Sequence, residues 1–151
     1  MASTTFSGPV TSTNGFIGAL TGNVTGSTAV GIVTHTPVSI NATATATAAQ
    51  VATGYIKSTS AAATTITLPT GTLLGAAIGA TQGTVLDLYI DNTAGASTVT
   101  VAIAVNGILS ALAAAVSASA GLLTVPSGAT GQACFRLMFS SATAYTFTRI
   151  A

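Results

Sequence analysis

Glutamate and tryptophan are absent from this chain, histidine and cysteine occur once each, and the only acids are Asp87 and Asp91. The bases are Lys57, Arg136 and Arg149. Each scarcity closes off a class of function. Three scattered bases and a net charge of +1 provide no footprint for nucleic acid or an anionic membrane, which would need clustered Lys and Arg. One cysteine, Cys134, excludes an internal disulfide framework and a multi-cysteine metal site. It sits in an apolar run and reads as a small buried thiol rather than a nucleophile. Charged residues make up 3% of the chain, against about 25% in an ordinary soluble domain. That suits a protein that spends its life inside an assembly better than a fully exposed monomer.

What the chain does have is alanine and threonine, thirty and twenty-nine copies. Small residues therefore supply the positive mean hydropathy of +0.74, and the core must be thin and built from Val, Ile, Leu and Ala. The stretch 99–125, "VTVAIAVNGILSALAAAVSASAGLLTV", has the length of a membrane span. Its first half alternates like a strand, it contains Asn106–Gly107, and no Lys or Arg flanks it to fix a topology. A membrane role is not expected. The start, "MASTTFSGPV", lacks the charged and apolar regions of a signal peptide, so export by that route is not expected. The glycosylation patterns at Asn23 and Asn41 carry little meaning without secretion.

Residues 1–29 are rich in Gly, Ser, Thr and Asn, with spaced apolar residues and no periodic stripe. They read as an extended arm that orders on assembly, with Phe6, Val10, Phe16, Ile17 and Leu20 as anchors. From about residue 30 the signal is β. "VGIVTHTPVSI" suggests an edge strand broken by Pro37, and "NATATATAAQVATGYIKS" a long or bulged strand. Its Thr/Ala ladder invites comparison with ice-binding surfaces, but one short run is no repeat. "GTLLGAAIGATQG" fits a short helix or a loop, its glycines weakening any helix; it lacks the spacing and the Lys of a phosphate-binding loop. In "STVTVAIAV" strict period two marks a half-buried strand. "ILSALAAAVSAS" is ambiguous, and "ACFRLMFSS" with "AYTFTRIA" predicts a terminal hairpin. Seven to nine short strands and at most two short helices predict an all-β sandwich or barrel over 30–151.

The two acids pose the enzymatic question. Four positions apart on a strand they share a face at about 13 Å, wider than the roughly 5–9.5 Å of glycosidase carboxyl pairs. Leu86, Leu88 and Ile90 mark the opposite face as the core side. Asp91 then leads into "NTAGAS", where Asp and Asn favour turns. The pair therefore reads as the solvent face and end of a hairpin strand. A calcium site would need six to eight oxygens, and only Asn92 and Thr93 stand nearby. His35 has no carboxylate or second histidine close in sequence and reads as a loop or edge-strand residue; a His35–Cys134–Asp triad has no supporting local motif. Arg136 is placed to pair with an Asp across strands or subunits, and Arg149 reads as a solvated strand end. No catalytic, cofactor-binding or metal-binding residue is expected.

Two segments carry a family resemblance. "TTFSGPVTSTNGFIGALTGNVTG" resembles the N-termini of small tailed-phage structural proteins. "TITLPTG…GTVLDLYIDNTAGASTVTVAI…GLLTVPSGATGQACFRLMFSSATAYTFTR" resembles β-rich domains of phage head-decoration, cement and fibre proteins. The resemblance implies a jelly-roll-like β-sandwich bound outside a phage capsid, with the major capsid protein and further copies of itself, as dimer or trimer, for partners. It implies no cofactor, and a chain made in the host cytoplasm and carried on the virion. The alternative is a fibre, tail or cell-surface adhesion module that binds a receptor.

Overall fold

The computed structural model describes residues 34–104, 106–109 and 123–151. The arm, with Phe6, Val10, Phe16, Ile17 and Leu20, and most of the ambiguous 108–119 run lie outside the described residues. The described chain is mostly β, in two sheets. The strands are β1 (Val38–Ser39), β2 (Ala44–Thr45), β3 (Tyr55–Lys57), β4 (Thr64–Thr67), β5 (Val85–Asp91), β6 (Val99–Ala102), β7 (Gly107–Leu109), β8 (Thr124–Val125), β9 (Gln132–Ser141) and β10 (Ala144–Arg149). The larger sheet has the order β1-β3-β5-β9-β10-β7, and the smaller β2-β4-β6-β8. The two helices are α1 (Ala48–Ala52) and α2 (Gly71–Ile78).

The path between the sheets is regular. β1 lies in the larger sheet and β2 in the smaller, and α1 leads on to β3 and β4. α2 then leads to β5 and β6. Each circuit lays a strand parallel to its predecessor, so β1–β3, β3–β5, β2–β4 and β4–β6 are all parallel pairs. β7 also pairs in parallel with β10. The remaining pairs, β5–β9, β9–β10 and β6–β8, are antiparallel. Both sheets are thus mixed, whereas a jelly roll is built of antiparallel strands. The terminal hairpin forms as the sequence predicts. The segment after Asp91 does not close a hairpin; it carries the chain from β5 in one sheet to β6 in the other.

Thr47 and Gln50 explain α1, which interrupts the predicted long strand. The Thr47 hydroxyl accepts from the Gln50 amide at 3.2 Å, and the Gln50 side chain accepts from the Thr47 amide at 2.8 Å. This reciprocal capping box satisfies two donors at the helix start. In α2, Thr70 caps the first turn and Gly79 closes the last at φ 63°, a left-handed value that favours glycine. Gly71 and Gly75 lie one turn apart, and a Cβ on either would run into the backbone of Thr143 or Ala142. These glycines, which weaken an isolated helix, let α2 sit directly on the β9–β10 turn.

Period-two alternation then sets the core. Ile56, Leu88, Ile90, Phe135, Leu137, Phe139, Tyr145 and Phe147 of the larger sheet join Ile66, Val99, Val101 and Val125 of the smaller in one buried cluster. Phe135 and Phe147 stack at 4.9 Å, and Phe139 and Tyr145 meet at 5.7 Å, tilted by 55°. The few aromatics are concentrated where β9 and β10 pair. Arg149 does not end as a solvated side chain: it donates to the Thr124 carbonyl at 2.9 Å and lies 5.9 Å from the centre of the Phe135 ring.

Candidate functional site

The alternation that buries Leu88 and Ile90 turns Asp87 and Tyr89 outward; Asp91 lies on that same face of the strand but is buried, so it is not the solvent-facing acid that its position in the sequence suggests. Strand register extends this pattern into two rows. Tyr55, Tyr89 and Cys134 lie opposite one another across β3, β5 and β9. One step along, Lys57, Asp91 and Gln132 do the same. A groove of about 280 Å³ runs over these rows, lined by Tyr55, Tyr89, Asp91, Gln132, Cys134 and Ala151. A second concavity of about 260 Å³, beside Met138 and Ser140, has no ionisable side chain in its lining.

Neighbours hold the groove in place. Asp91 is buried and accepts from the Tyr55 hydroxyl at 2.8 Å, the Thr93 amide at 3.0 Å and the Thr93 hydroxyl at 2.6 Å. Burial alone would raise its pKa; the bonds from Thr93 and Tyr55, with Lys57 nearby, outweigh burial and hold the carboxyl below its ordinary value. The Thr93 amide contact is the turn chemistry that the sequence suggests for Asp91. His35 is a loop residue, and its Nδ1 lies 2.8 Å from the Thr53 carbonyl. Its ring lies 6.5 Å from Tyr55 and 5.6 Å from Tyr89 and backs both tyrosines. Gly54, at φ 73°, makes room for it: a Cβ there would lie 2.7 Å from two atoms of the His35 ring.

Asp87 and Asp91 take different partners. Both Asp87 oxygens accept from Arg136, Oδ1 from Nε and Oδ2 from a terminal nitrogen, each at 2.7 Å. The Arg136 guanidinium holds the Asp87 carboxyl below its ordinary range. The side chains are 40% and 32% exposed, so solvent screens the pair and its contribution to stability is small. Cys134 is buried, and burial pushes its thiol pKa up, which keeps it protonated and a poor nucleophile. The His35 Nδ1 faces a backbone carbonyl rather than a carboxylate. Among the described residues no group of three His, Cys, Asp or Glu could hold a metal ion, and no helix is long and apolar enough to cross a membrane. The groove presents an open surface over two tyrosines, a carboxylate and a buried thiol.

The residues that the sequence reading missed are Tyr55, Tyr89 and Gln132. Tyr89 was legible, since it alternates with the core-facing Leu88 and Ile90. Tyr55 and Gln132 join it only through the register of three strands, two of them distant in sequence. No protein-family model matches this chain, and no curated protein or solved structure matches it.

Proposed function

We propose that this chain is a structural virion protein that decorates the outside of a phage capsid and bridges neighbouring subunits of the major capsid protein. One observation carries the reading. A body with five formally charged side chains, two of them spent on the Asp87–Arg136 pair, leaves Leu73, Val85, Met138 and Ile150 between 46% and 61% exposed. Val85 and Met138 are cross-strand partners, and a surface with so little charge favours contact with other protein over life as an isolated solute. The phage-like segments within 4–26 and 65–149 support the same reading. The jelly-roll-like sandwich they imply is retained only as two sheets sharing one core, because five strand pairs run parallel.

Attachment relies on residues 1–29, with Phe6, Val10, Phe16, Ile17 and Leu20 as apolar anchors, and on self-contact that multiplies weak contacts over the lattice. Incubating purified, undecorated capsids with the full chain and with a chain lacking residues 1–29 tests this. Saturable co-sedimentation of the full chain and weak co-sedimentation of the shortened one are expected. Equal binding by both, or none by the full chain, contradicts it. The alternative, an adhesion module on a fibre or tail, draws support from the groove over Tyr55 and Tyr89.

A further inference from the structure

We infer that the groove across β3, β5 and β9 binds a neutral saccharide, with one pyranose ring seated on Tyr89 and Tyr55. The inference goes beyond the capsid reading and does not rest on it.

A pyranose has an apolar C–H face and a rim of hydroxyls that both donate and accept. The groove presents the complement of each. Tyr89 is 42% exposed and stands directly opposite the partly exposed Tyr55, so two aromatic side chains lie side by side in the lining of the groove. The neighbouring row supplies the polar rim. Gln132 is exposed, and its amide offers donors and an acceptor side by side. Asp91 Oδ2 takes one bond, from Tyr55, and a carboxylate oxygen has capacity for a second. Lys57 stands opposite Asp91 in the strand register but outside the lining of the groove.

Charge and size narrow the ligand. Lys57 and Asp91 carry opposite charges in the same row, which disfavours a strongly anionic or cationic ligand. At about 280 Å³ the groove lies at the lower edge of the roughly 300–1,000 Å³ of small-molecule sites, which suits a single ring better than an extended cofactor. The site is also set before any ligand arrives. Its side chains stand on paired strands, His35 backs both tyrosines, and Tyr55 is fixed through its bond to Asp91. A rigid aromatic platform loses little entropy on binding.

The three tyrosines make the test internally controlled, because Tyr145 is fully buried and its hydroxyl is bonded to the Pro69 carbonyl. Tyrosine-ring NMR of the full chain would be recorded during titration with methyl glycosides of glucose, galactose, mannose and N-acetylglucosamine, and with tetramethylammonium. The expected result is movement of the Tyr55 and Tyr89 signals with at least one glycoside, a fixed Tyr145 signal, and a dissociation constant of about 1–10 mM. Tyr89→Ala should weaken binding about tenfold or more with the Tyr145 signal unchanged, and Gln132→Ala should weaken it less. Met138→Ala, outside the groove, should bind as the parent does. Static Tyr55 and Tyr89 signals with every glycoside would overturn the inference. So would movement with tetramethylammonium alone, or equal binding by Tyr89→Ala.

Discussion

Tyr145 and Gly75 show how much a single position decides in a protein with so few large side chains. Tyr145 is buried against Phe139, and its hydroxyl donates to the Pro69 carbonyl at 3.1 Å. Burial pushes its pKa up from 10.0 to about 12. The folded state therefore holds this proton more tightly than the unfolded chain. Its contribution is complete below about pH 10 and is lost as pH rises towards 12, on the order of 2–3 kcal/mol in all. Tyr145→Phe should cost about 1 kcal/mol at neutral pH through the lost hydrogen bond. It should also flatten the fall in stability between about pH 10 and pH 12. Urea melts of both proteins across that range check this. Gly75→Ala would raise helix propensity by about 1 kcal/mol, but the new Cβ meets the Ala142 carbonyl, which is backbone and cannot swing aside. Net destabilisation of about 1–3 kcal/mol is expected, read as a lowered thermal midpoint.

Whole elements were legible where local pattern and tertiary fate agree. β6 and the β9–β10 hairpin follow from period two, and Leu86, Leu88 and Ile90 face the core as their alternation requires. α1 was missed because the Thr/Ala ladder reads as a strand, although Thr47-Ala-Ala-Gln50 carries a capping signature that could have revealed it. Thr47→Ala should destabilise the fold by about 1 kcal/mol, with the loss visible as faster amide exchange in α1. The parallel winding was not legible at all. The parallel partners 38, 56 and 90 of the larger sheet, and 44, 66 and 101 of the smaller, are separated by circuits of unequal length. No fixed period therefore appears in the sequence. The groove shares this opacity, because Tyr55, Tyr89 and Gln132 meet only through strand register.

At the scale of the molecule, scarcity of charge sets the response to pH and salt. Asp87 and Asp91 both have pKa values held below the ordinary 3.8, so the unfolded chain takes up these protons first. Carboxylate titration should leave stability level from about pH 5 upward and lower it as pH falls below about 4. Thermal melts from pH 2 to 8 check this. On the proposed capsid role, attachment rests on apolar burial and backbone hydrogen bonding rather than ion pairs. It should therefore hold as sodium chloride rises from about 0.05 to 0.5 M, over which the Debye length shrinks severalfold. A steep loss of bound protein would instead place Lys57, Arg136, Arg149 or the two acids in the contact. The proposed capsid role is most directly tested by imaging phage particles purified from cells that produce the chain, with averaging over the symmetry of the head. Many copies at fixed lattice positions on the outer surface are expected, each fitted by the two-sheet body. Absence of the chain from the head, or its presence only on a tail or fibre, would contradict it.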